Sequence, residues 1–197
     1  MSTISEAPLP ITEVEHQGHY EVVGGQVVEK PPMNAYETDV ACALFEIMAP
    51  FTRSRRLGRV FAEMLFRIDP ETGLDRRPDL AFVSQARWPL GRCAPTTPAW
   101  EVVPDLAIEV ISPTNRANEV LEKVRDYFRT GVRMVWVVYP LFGEVQVFHA
   151  ATTMRALRLE TGDVLDGGDV VPGFSIALGE FLGRSDAEPE CPEGQAP

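Results

Sequence analysis

Short apolar runs broken by polar and proline-rich turns dominate this chain, and two longer stretches carry an apolar stripe at helical spacing. Tyr20-Glu21-Val22-Val23 and Gln26-Val27-Val28-Glu29 flank Gly24-Gly25. Paired glycines accept the positive φ of a tight two-residue turn, so this segment predicts a β-hairpin. Pro31 and Pro32 end it. From about residue 34 to 51, Val40, Ala43, Leu44, Ile47, Met48 and Phe51 share one helical face, with Pro50 near the end. Residues 60–68 read as one strand, 70–73 as a turn, and 79–83 as a further strand introduced by Pro78. Residues 84–103 hold Pro89, Pro95 and Pro98 and read as a long surface excursion.

The run Asp105-Leu106-Ala107-Ile108-Glu109-Val110-Ile111 is nearly all apolar, which predicts a strand buried on both faces. Ser112-Pro113-Thr114-Asn115 breaks it and offers capping side chains. A helix is predicted over 117–130, stopped by Gly131. Residues 134–139 read as another buried strand and 144–149 as its hairpin partner. Weaker strand signals follow at 155–159 and 170–171, then a short helix at 178–182. This order predicts an α/β domain over 18–183, a mixed central sheet flanked by helices with an N-terminal hairpin. Residues 1–17 and 184–197, rich in proline, glutamate and small polar residues, read as a flexible arm and an acidic tail.

Composition narrows the function. The chain has 197 residues, 45% apolar and 24% charged, the balance of a soluble globular domain. Its apolar runs are too short to cross a membrane, and no leader-like segment opens it. Cys42, Cys93 and Cys191 are widely spaced and fit reduced thiols in a cytoplasmic protein. A net charge of −11 argues against sequence-indifferent nucleic-acid binding. The charge is uneven, however. Arg53, Arg55, Arg56 and Arg59 cluster without an acid, and Arg76 and Arg77 precede Asp79. No phosphate-cradling loop or nucleophile elbow occurs, and His16, His19 and His149 have no ligand spacing.

The candidate chemistry lies in carboxylates. Glu109 sits inside an apolar strand, where a charge is costly unless paired. Asp79 opens the preceding core strand. If the two strands are neighbours, both carboxylates converge at one rim, and hard oxygen ligands of this kind suit Mg²⁺ or Mn²⁺. Spacing alone leaves a second reading open, with Asp79 capping a turn and Glu109 in a structural ion pair.

Pro78-Asp79 followed by Glu109-Val110-Ile111 is similar to the PD-(D/E)XK nuclease pattern. The hairpin 20–29, Arg77-Pro78-Asp79-Leu80-Ala81-Phe82-Val83, the run 104–113, Lys123 through Tyr127, and 131–140 together resemble the Uma-two family of restriction-endonuclease-like proteins. The resemblance runs in order over about residues 19–183. It implies a restriction-endonuclease-like fold and a Mg²⁺- or Mn²⁺-dependent endonuclease that hydrolyses DNA phosphodiesters. It implies Asp79 and Glu109 as metal ligands, joined by the backbone carbonyl of Val110. The lysine expected two residues after the acid is replaced by Ile111. The resemblance implies that Lys123, on the next helix, supplies the amine instead; the plainer alternative is an i,i+4 pair with Glu119. Glu37, near the start of the first helix, is a further metal-ligand candidate, or a first-turn glutamate favoured by the helix dipole. Glu63 could approach the same rim or pair with an arginine across strands. A homodimer suits cleavage of both strands of a duplex. The competing function is a catalytically inactive nuclease-fold domain that binds or regulates.

Overall fold

The computed structural model of the chain describes residues 18–183, so the arm and tail expected at 1–17 and 184–197 lie outside the described residues. Strands β1 (Tyr20–Val23) and β2 (Gln26–Glu29) form the expected hairpin, turning through Gly24 at φ 57° and Gly25 at φ 75°. Helix α1 (Ala35–Ser54) begins at an Asn34 capping box and continues through Pro50, past the predicted end. Burial explains the extension: Thr52 is fully enclosed, and the Phe51 ring meets Phe174 edge-on.

The single strand expected over 60–68 is two strands, β3 (Gly58–Ala62) and β4 (Phe66–Asp69). Glu63 breaks them apart at φ 47°, a backbone conformation uncommon outside glycine. After the turn comes β5 (Leu74–Arg76), which the sequence reading missed because two of its three residues are charged yet buried. β6 (Leu80–Ser84), β7 (Leu106–Val110), helix α2 (Ala117–Thr130) and β8 (Met134–Tyr139) follow close to expectation. Gly131 ends α2 in the left-handed region at φ 98°. The α2 cap residue is Arg116, without a side-chain cap bond; the Asn115 side chain instead accepts from the Ser112 N–H.

β9 (Glu144–Ala150) and β10 (Thr153–Arg158) complete the meander. Val170 and Val171 form no strand. They are buried in a turn between β11 (Val164–Asp166) and β12 (Ser175–Ala177), where Gly168 and Gly173 take positive φ. The final helix is a single 3-10 turn, Leu178–Glu180.

The main sheet has the order β10-β9-β8-β7-β6-β3. β7 and β8 run parallel, joined through α2, and the other pairs are antiparallel. A second sheet, β2-β1-β5-β4, carries the hairpin. Strand alternation divides the core into two layers. Leu80, Phe82, Ile108, Val110 and Trp136 face α1, meeting Val40, Leu44 and Met48. Ala81, Ala107, Val135 and Val137 face α2, meeting Val120, Val124 and Tyr127. The 84–103 excursion carries no strand but is anchored by Trp100, which is buried against Phe61, Phe66 and Trp88.

Candidate active site

Leu80 pairs with Ile108 and Ala81 with Ala107 across β6 and β7. Continuing that register by one residue sets Asp79 opposite Glu109. Alternation then puts both on the face that α2 covers, the face of Ala81 and Ala107. Both carboxylates are buried. Asp79 Oδ2 accepts the Val110 backbone N–H at 2.6 Å, and Asp79 Oδ1 accepts from Lys30 Nζ at 2.6 Å. Glu109 Oε1 accepts the Tyr127 hydroxyl at 2.5 Å, and Lys123 Nζ stands 3.3 Å from Glu109 Oε2. The structure therefore gathers Asp79, Glu109, Val110 and Lys123 at one rim. It adds Lys30 and Tyr127 as direct partners of the two acids.

A third acid supports the amine. Glu21, on β1, lies 3.0 Å from Lys123 Nζ. Its carboxylate also accepts from Arg76 Nη1 at 2.7 Å and the Arg77 N–H at 3.1 Å. Arg76 in turn reaches Asp126 on α2. Burial pushes the Glu21 carboxyl up, but Lys123 and Arg76 outweigh burial and hold it below its ordinary value. Burial raises the Glu109 carboxyl; Lys123 opposes this and the Asp79 charge adds to it. Burial draws the Lys123 ammonium down, but Glu109 and Glu21 overcome that and hold it above its ordinary value. Lys123 thus keeps its proton at neutral pH. It makes no pair with Glu119, which meets Arg116 instead.

Comparison with known proteins bears on the family and the fold. The Uma2 (Uma-two) family model, described as "Putative restriction endonuclease", matches residues 7–179. The chain belongs to the Uma2 family. Among solved structures it is similar to "a putative nuclease belonging to DUF820" from Anabaena variabilis, with a TM-score of 0.70. That match covers 83% of this chain and 89% of the other at 16% identity, so the likeness concerns the fold alone. No curated protein matches.

Two predicted residues of this Uma2 chain serve elsewhere. Both carboxylate oxygens of Glu37 accept from Asn34, at 2.9 Å from its backbone N–H and 2.7 Å from its side-chain amide. Glu37 closes the capping box of α1 instead of joining Asp79 and Glu109. Glu63 sits at the break between β3 and β4, and its carboxylate meets His19 Nδ1 at 3.0 Å rather than an arginine. Its backbone is nonetheless tied to the site, since the Glu63 N–H donates to the Asp79 carbonyl and Arg77 Nη1 donates to the Glu63 carbonyl. Ile111 packs beside the apolar cluster under α2. Arg53, Arg55, Arg56 and Arg59 gather where Gly58 pairs with Ser84, at the other end of β6 from Asp79.

Asp79 and Glu109 offer hard oxygen donors of the kind a divalent ion takes. Among the described residues no group of three or more His, Cys, Asp or Glu side chains forms a cage. Mg²⁺ needs none, because it binds through one or two carboxylates and keeps waters and substrate oxygens. In an extended strand the N–H and C=O of one residue point to the same side. The Val110 N–H is taken by the Asp79 side chain and not by a strand partner. A pocket of about 290 Å³ lies on the α1 side, lined by Met33, Ala41, Phe45 and Glu63 among others; it touches Asp79 but not Glu109 or Lys123. A wider groove of about 1160 Å³ lies at Tyr139, Phe142, Glu144 and Arg158 and contains none of the clustered acids.

Lys30 and Glu21 escaped the sequence reading. Glu21 carried a usable signal: a glutamate beside Val22 and Val23 in a hairpin strand, which must be paired if that face is covered. Lys30 carried none, because a lysine before two prolines reads as a solvated turn.

Proposed function

We propose that this Uma2 protein is a Mg²⁺- or Mn²⁺-dependent endonuclease that hydrolyses DNA phosphodiester bonds. The observation that carries the reading is the convergence of two buried carboxylates, Asp79 accepting the Val110 N–H and Glu109 lying beside the Lys123 ammonium. Asp79, Glu109 and the Val110 carbonyl would hold the divalent ion. That ion, when bound, supplies Lewis-acid charge at a phosphoryl oxygen and lowers the pKa of water.

The chain's own residues do the positioning. The Val110 N–H fixes Asp79, and the Tyr127 hydroxyl fixes Glu109. Glu21, itself held by Arg76, fixes Lys123. Lys123 then presents a permanent positive charge for the negative charge that grows on phosphorus oxygens during displacement. The buried apolar cluster under α2 keeps this charge in a low-dielectric setting, where it acts more strongly than in water.

The test is nicking of supercoiled plasmid in Mg²⁺ by the wild type, Asp79→Asn and Glu109→Gln, with thermal melts to verify folding. Loss of nicking in both folded variants supports the assignment; wild-type rates in both would sink it. A second reading, a non-catalytic nuclease-fold module, draws on Ile111 and on the ammonium partners of both acids. Calorimetric titration with Mn²⁺ separates the two: a folded wild type that binds no Mn²⁺ and leaves plasmid intact favours the module.

A further inference from the structure

The catalytic reading gives Lys30 no task, yet its side chain is only 11% exposed and lies against the first acid of the site. Its backbone is fixed, because the Lys30 N–H donates to the His19 carbonyl at 2.9 Å as the last rung of the hairpin, and Pro31 follows. Its ammonium is shared between Asp79 Oδ1 at 2.6 Å and the Arg77 carbonyl at 2.9 Å. The two oxygens of Asp79 are thus held by different kinds of donor. Oδ2 belongs to the backbone N–H of Val110 in a central strand, which cannot move away. Oδ1 belongs to a flexible lysine stem.

We propose that Lys30 is a positioning residue that holds Asp79 Oδ1 as a placeholder cation and yields that oxygen to the incoming divalent ion, so that it gates metal loading. The proposal rests on the reading of Asp79 and Glu109 as metal ligands. An ammonium and a divalent ion cannot share one carboxylate oxygen without strong repulsion. The Arg77 carbonyl gives the ammonium a second acceptor to keep when it leaves Asp79, so release does not strand a bare buried charge. A purely structural ion pair makes the opposite forecast. Removing it would loosen Asp79 and weaken metal binding or leave it unchanged, whereas removing a gate strengthens binding.

The experiment is calorimetric titration of Mn²⁺, without DNA, into the full chain as wild type, Lys30→Met, Lys30→Gln and Lys30→Arg. The glutamine variant keeps hydrogen-bonding capacity without charge and serves if the methionine variant fails to fold. The neutral variants are expected to bind Mn²⁺ about tenfold more tightly than the wild type, with Lys30→Arg near wild type. Without metal the neutral variants melt lower than the wild type, and Mn²⁺ raises their melting temperature by more. Equal or weaker Mn²⁺ affinity in a folded neutral variant, with a wild type that binds, overturns the gate alone. No binding by any of the proteins overturns both the gate and the metal-site reading beneath it.

Discussion

The Lys123 ammonium stands 3.3 Å from Glu109 Oε2, so helix α2 and not strand β7 brings a cation to the buried acid. Ile111, one residue past β7, stands where the nuclease pattern expects that cation, and it is apolar. Replacing Lys123 by methionine keeps the stem and deletes the charge. Plasmid nicking in Mg²⁺ should fall by about a hundredfold or more, the scale of losing one preorganised charge-stabilising donor. Glu21 and Glu109 would then share a site without a cation between them, so the variant should also melt lower than wild type. A folded Lys123→Met protein that nicks at the wild-type rate would assign Lys123 to structure alone.

Tyr127 ties the same acid from the next turn of α2. Its hydroxyl donates to Glu109 Oε1 at 2.5 Å, and both groups are buried. Tyr127→Phe removes one oxygen and leaves the ring packed against the sheet. Hydrogen bonds to charged groups contribute about 1.5–3 kcal/mol, so urea unfolding should show a loss in that range. Nicking should slow as well, because Glu109 loses the contact that fixes its orientation. A stability loss with an unchanged nicking rate would separate the fold's need for this hydroxyl from the site's.

Legibility followed locality. Periodicity located β1, β2, α1, β6 to β9 and α2 because each carries its own hydrophobic repeat and its own stop, such as Gly131. The break at Glu63 was invisible because its neighbours are apolar and the cause is a single backbone torsion. β5 was invisible because Asp75 and Arg76 look solvated, while the fold pairs them with Arg67, Glu21 and Asp126. The pairing of Asp79 with Glu109 was legible as two acids on consecutive strands. Lys30 and Glu21 became visible only once the hairpin was laid against the main sheet, since their partners lie 49 residues away at Asp79 and 55 away at Arg76.

Alkaline pH should unfold this protein through the same cluster. Lys123 holds its proton above the ordinary 10.5, and Tyr127 well above the ordinary 10.0. In the unfolded chain both groups lose their protons near those ordinary values. Over this window the unfolded state binds fewer protons than the folded state, so stability falls as pH rises. The contribution is fully present below about pH 10 and is lost progressively above it. Urea unfolding at about pH 9 and about pH 11 should show a clear drop for wild type and a smaller one for the Lys123→Met, Tyr127→Phe double variant. Equal drops would mean that other groups set the alkaline limit.

Arg76 joins the hairpin sheet to helix α2. Its guanidinium donates to Glu21 Oε2 at 2.7 Å through one nitrogen and to Asp126 Oδ2 at 2.5 Å through another, and the residue is only 6% exposed. Burial works against this charge, but Glu21 and Asp126 overcome it and raise the Arg76 pKa. A planar fork serves two carboxylates in different elements at once, and a lysine cannot reproduce that spread. Arg76→Lys should therefore cost stability despite keeping the charge. Arg76→Met leaves Glu21 short of a partner and should cost about 3–5 kcal/mol, the penalty for breaking a buried pair. Glu21 would turn more fully towards Lys123 in that variant and compete with Glu109 for the ammonium. Nicking rates, corrected for the folded fraction, should then fall in Arg76→Met and fall less in Arg76→Lys. Wild-type rates per folded molecule in both would confine Arg76 to holding the two layers together.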